Sequence, residues 1–179
     1  MQAAADRTSI PTEPAPTDIP RQKRARAGRR VFVVLLGVFL LLGALGFYGV
    51  RKTSASAAGG GYELSVDYAS VSRPGLATPW SFEVRRPGGF PDGVTVAVTS
   101  AYFDVFDENG LGPAPAEETT DGDLTIWRFG PTTSDTLSVS FDARIEPGVQ
   151  LTMAKGELSV LGPDGQPAVT VAFKTFVMP

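Results

Sequence analysis

The sequence predicts an all-β domain standing behind one N-terminal membrane-spanning helix. Three observations lead there. Residues Val31 to Val50 form a run without a charge, rich in Leu, Val and Phe. Beyond it, apolar and polar residues alternate with period two in one segment after another. Between those segments lie Gly- and Pro-rich turn signals, with no amphipathic helix among them.

The apolar run comes first in the chain. At about 1.5 Å per residue, a helix of this length spans roughly 30 Å, the hydrocarbon thickness of a bilayer. The apolar part of a cleavable signal peptide is usually only about 7–15 residues long, and a buried soluble helix would show a polar face. Residues 31–50 are therefore expected to remain in the membrane as a signal anchor. The rival expectation is a secreted protein: Ala55-Ser56-Ala57 is an A-x-A pattern that a signal peptidase would cut after Ala57. The long run, the thirty residues before it, and Arg51 and Lys52 ahead of the pattern weigh against cleavage.

Charge sets the expected orientation. Arg21, Lys23, Arg24, Arg26, Arg29 and Arg30 precede the run, whereas only Arg51 and Lys52 follow it closely. A Lys/Arg-rich flank stays in the cytoplasm, so the C-terminal domain is expected outside the cell membrane, with Phe47 and Tyr48 near the outer interface. Residues 1–30 are expected to form a disordered basic cytoplasmic tail, since the first twenty hold four prolines and few large apolar groups. Residues 51–61, rich in Ser, Ala and Gly, are expected to be a flexible tether. The domain then runs from 62 to 179.

The formal net charge of −3 hides two opposed halves. Residues 53–179 carry seven Lys/Arg against sixteen Asp/Glu, a net of −9. Such a domain does not suit nucleic acid, and the basic flank suits the lipid bilayer itself. Cys and His are both absent. The domain must therefore stand without disulfides, and Ser-His-Asp or Cys-His catalysis is ruled out. No cofactor is expected, and no enzymatic activity.

The strands follow in order. "YELSVDY" puts Tyr62, Leu64, Val66 and Tyr68 on one face, and "WSFEV" does the same with Trp80, Phe82 and Val84. "VTVAV" aligns Val94, Val96 and Val98. "LSVSFDARI" aligns Leu137, Val139, Phe141, Ala143 and Ile145, and "VTVAFKTFV" aligns Val169, Val171, Phe173 and Val177. Further strands are expected at "AYFDVF", "LTIWRF" and "GELSVL", with turns at "RPGL", "RRPGGFPDG", "DENG", "EPG" and "GPDG". About eight short strands at regular spacing point to an immunoglobulin-like β-sandwich.

Two segments invite a functional reading. From Asp104 to Asp123 there are seven acids and no base. Paired carboxylates there would need one raised pKa for glycoside hydrolysis, which an exposed loop does not supply. Calcium, with its 6–8 oxygen ligands, is the weaker possibility, through Asp104, Asp107, Glu108 and Asn109; a solvated turn with Asn109-Gly110 at its tip is preferred. In "RRPGGFPDG", Arg85, Arg86 and Phe90 form a basic-aromatic tip on an acidic domain, a candidate interaction loop. The plainer alternative is that Phe90 packs under its own loop.

A basic tail, one span, a small-residue segment and a strand-rich domain ending "DTLSVSFDARIEPG…VTVAFKTFVMP" together resemble uncharacterised single-pass envelope proteins of high-GC Gram-positive bacteria. Residues 62 to 179 also resemble, by strand pattern, the immunoglobulin-like adhesive repeats of bacterial surface proteins. The resemblance implies a binding or structural role and carries no functional residue with it. The expected function is a membrane-anchored extracytoplasmic interaction module, docking on another membrane or envelope protein. The alternative is a structural envelope component without a dedicated ligand.

Overall fold

The computed structural model describes residues 19–45 and 50–178. They form two units, one on each side of residue 48. The first holds α1, Ile19–Ala44. Within it Arg26–Ala44 is long and apolar enough to cross a membrane, with a mean hydropathy of 1.9 and none of it buried by protein. The helix starts earlier than the sequence suggests, because residues 19–30 continue it rather than belonging to a disordered tail. Pro20 sits in the first turn, where a missing N–H costs nothing, and Gln, Lys, Arg and Ala favour the helix after it. Residues 1–18, and Phe47 and Tyr48, lie outside the described residues.

The second unit is all-β, as the alternation requires. Its strands are β1 Arg51–Gly59, β2 Tyr62–Ser72, β3 Ala77–Arg85, β4 Val94–Thr99 and β5 Phe106–Gly112. Then come β6 Glu117–Asp121, β7 Leu124–Phe129, β8 Thr136–Ile145, β9 Thr152–Leu161 and β10 Pro167–Val177. They form one hydrogen-bonded sheet in the order β5-β8-β3-β2-β10-β9-β4-β7-β6, with β1 paired to β2 off that path.

Three expectations need correction. The small-residue segment 51–61 is not a tether: residues 51–59 are a strand whose partners run from Arg51↔Val71 to Gly59↔Tyr62. Gly60 and Gly61, both at positive φ, make the two-residue turn that a hairpin of this twist demands. Ala55 and Ala57 pack against the core. "AYFDVF" is not a strand but mostly a 3-10 helix, Ser100–Val105, which buries Tyr102 and Phe103. The acidic segment is not one exposed loop, since β5 and β6 occupy most of it.

The sheet curls because β2 changes partners. Its first half pairs with β3, from Glu63↔Arg85 to Asp67↔Ser81. Further along β3, Pro79 has no N–H to offer and keeps only its partner on β8. There β2 passes to β10, joined by only two parallel positions, Phe176↔Val71 and Val177↔Ser72. Two half-sheets thus face each other across one core.

Aromatic rings from both halves fill that core. Trp80, 1 % exposed, lies with its ring centroid 5.2–6.5 Å from those of Phe82, Tyr102, Phe103, Trp127, Phe141 and Phe173. A buried polar chain crosses the junction. Thr175 Oγ1 donates to the Ala69 carbonyl at 2.7 Å, so its single proton is committed. The Tyr102 hydroxyl therefore donates to Thr175 Oγ1, at 2.8 Å. Burial pushes the Tyr102 hydroxyl well above the ordinary phenol pKa.

Candidate functional site

Two features of the domain surface could meet a ligand. The first is the outward face of β1, β2, β3 and β8. Side chains alternate across a strand, and here the inward set (Leu64, Val66, Phe82, Val84, Val139 and Phe141) is buried. The outward set is brought into rows by register. Ser56 lies beside Ser65, Ser65 beside Glu83, and Glu83 beside Ser138. In the neighbouring row Ser54 meets Asp67, Asp67 meets Ser81, and Ser81 meets Ser140. The result is a field of hydroxyls and carboxylates, with Arg85 the large side chain at its margin.

Local bonds order part of this field. Ser138 Oγ donates to Glu83 Oε2 at 3.1 Å, and Glu83 is also paired with Arg85. Ser140 Oγ donates to the Gly112 carbonyl at 3.3 Å. Shallow grooves of about 530, 440 and 370 Å³ run over the face between these groups. Chemically it offers hydrogen bonds in both directions and a net negative field.

The second feature lies at the open ends of the sheet. The segment 104–123 is divided between its two terminal strands, β5 and β6. Between them is a crevice of about 350 Å³. Phe103, Trp127 and Phe141 line it, with Asp104 and Glu118 among its residues. Ser100 and Thr125, also in its wall, share a hydroxyl–hydroxyl bond of 2.9 Å.

The expected site residues fall out as follows. Asp104 and Asp107 are exposed, and no group of three or more His, Cys, Asp or Glu suited to a metal ion is found among the described residues. The side chains of Glu108 and Asn109 lie outside them. Phe90 is fully buried. Its backbone exchanges bonds with Thr132 at 2.8 and 3.0 Å, so it cannot be the tip of an interaction loop. Arg85 is paired with Glu83. Arg86 stacks over the Tyr62 ring, 5.3 Å from its centroid, and donates to its hydroxyl at 3.4 Å. The loop is thus stapled to the domain. The serine rows were missed because each serine is, alone, an ordinary polar position of an alternating strand.

Fold and surface together define the class: an all-β domain behind one apolar helix able to span a membrane. No protein-family model matches the chain, and no curated protein does. Solved structures align loosely. A structure of AvmM, described as catalysing macrocyclization in alchivemycin A biosynthesis, is 10 % identical, with a TM-score of 0.36 over 73 % of this chain and 90 % of its own. The PmoD soluble domain from Methylocystis is 17 % identical, with a TM-score of 0.33 over 69 % of this chain and 96 % of its own. A DUF4466 family protein from Parabacteroides merdae is 14 % identical, with a TM-score of 0.34 over 70 % of this chain and 42 % of its own. Likeness at this level carries no inference about fold or activity.

Proposed function

We propose that the chain is a membrane-anchored interaction module whose β domain is displayed outside the cell. In this reading it has no catalytic role and serves as an accessory or surface-binding protein of the envelope. Two half-sheets facing across an aromatic core support describing the domain as an immunoglobulin-like sandwich. The observation that carries the functional reading is the serine and carboxylate field. A broad, small-residue face leaves room for a partner to approach closely and to satisfy its own polar groups.

The absence of cysteine makes the test clean. A photo-crosslinking residue placed at Ser65 in native membranes should yield one discrete adduct with an envelope partner, and Ser81→Arg should abolish it. Persistent absence of an adduct at Ser65 favours the structural alternative, a domain that spaces the envelope without a dedicated ligand. Orientation is checked separately. A single cysteine at Ser134, exposed in the β7–β8 connection, should react with a membrane-impermeant maleimide on intact cells, while one at Ala4 should not. The reverse pattern overturns the proposed topology.

A further inference from the structure

The two ends of the curled sheet, β5 and β6, share no register with each other. The crevice between them reaches the aromatic core, and its volume of about 350 Å³ lies within the roughly 300–1,000 Å³ of small-molecule sites. Its lining divides by chemistry. Phe103, Trp127 and Phe141 offer ring surface, each 8 % exposed or less. Asp104 and Glu118 are exposed and take part in neither of the ion pairs formed among the described residues. No Lys or Arg lines the crevice.

That pairing of rings with two uncompensated carboxylates selects one ligand class. An anion would meet two like charges. A hard divalent cation needs several oxygen ligands at short range, whereas the crevice sets two carboxylates and the mutually bonded hydroxyls of Ser100 and Thr125 among its rings. An organic ammonium satisfies both parts: its charge is attracted to the carboxylates and to the ring faces, and its alkyl groups lie on apolar surface. We propose that the crevice between β5 and β6 binds a small organic cation, an alkyl- or trimethylammonium group, through Asp104, Glu118 and the ring of Trp127. This site is separate from the serine face and does not rest on it.

The full chain, labelled with ¹⁵N at tryptophan and held in detergent micelles, gives the test. Trp80 and Trp127 are its two tryptophans, and Trp127→Phe assigns their indole signals. Choline or n-butylammonium should shift the Trp127 signal saturably. The double variant Asp104→Asn/Glu118→Gln should bind about tenfold more weakly or worse, the scale of one lost charged contact. Both carboxylates are exposed, so the variant is expected to fold, which an unmoved Trp80 signal verifies; Asp104→Asn alone serves as a second variant. The neutral isostere 1-butanol should give no comparable saturation. The proposal is overturned if neither cation shifts Trp127, if 1-butanol acts equally well, or if both variants bind as the parent does. A shift with calcium and none with the ammonium ions overturns it in favour of a metal.

Discussion

Thr175→Val isolates the latch that holds the two half-sheets together. Valine keeps the shape and the strand preference of threonine, so packing is nearly unchanged and only the hydroxyl is lost. Two bonds go with it, from Tyr102 at 2.8 Å and to the Ala69 carbonyl at 2.7 Å. Tyr102 and Thr175 are both 0 % exposed, so water cannot replace the lost acceptor. A stranded buried donor costs about 1–3 kcal/mol, and the bond lost at Ala69 adds about 1 kcal/mol, for a total of about 2–4 kcal/mol. Tyr102→Phe is the control. It removes the donor itself and leaves Thr175 bonded to Ala69, so it should cost only about 0.5–1.5 kcal/mol. Urea unfolding of the full chain in micelles, followed by tryptophan fluorescence, reads both values. If Thr175→Val costs no more than Tyr102→Phe, the assignment of donors along this chain is wrong.

Three further expectations follow from particular contacts. Gly156→Ala would place a Cβ 2.8 Å from the Phe173 ring and 3.0 Å from Tyr102 Cβ; in this packed cluster it should destabilise by about 1–3 kcal/mol in the same urea assay. Because the folded state raises the Tyr102 pKa, stability is intact below the unfolded value of about 10 and falls above it, at about 1.4 kcal/mol per pH unit for one proton. Stability measured from pH 9 to 11 should decline less steeply in Tyr102→Phe. Replacing residues 53–58 by a Gly-Ser repeat should cost about 2 kcal/mol if they are a strand, through glycine's backbone entropy and the lost contacts of Ala55 and Ala57. An unchanged unfolding midpoint would restore the tether reading.

Much of the fold was legible in the residues. β2, β3, β8 and β10 each bury the face that period two assigns them. Two of the failures, β5 and β6, share a cause, which is that edge strands do not look like strands. β6 is entirely exposed and strongly acidic, and β5 carries a bulge between Glu108 and Leu111. Charge and irregularity are what keep an edge from pairing further, and they also erase the alternation. β1 fails differently: its small side chains have little strand preference of their own and take it from β2. Its readable signal was the Gly-Gly turn ahead of "YELSVDY". The surfaces were less legible still. Glu118 stands opposite Trp127 in the β6–β7 pair, but Asp104 reaches the same crevice only because the sheet curls, and the serines become rows only once four strands are in register.

The junction at Val71–Ser72 has a bearing on how the domain is built. Ala69 and Thr175, which bond across it, stand 106 residues apart in the chain. Loop closure over such a distance comes late, after local hairpins have formed. The end of β2 must therefore wait until β10 is available to accept it. A polypeptide that stops just before that last strand lacks Phe173 and Thr175, and has nothing to clasp its remaining rings shut.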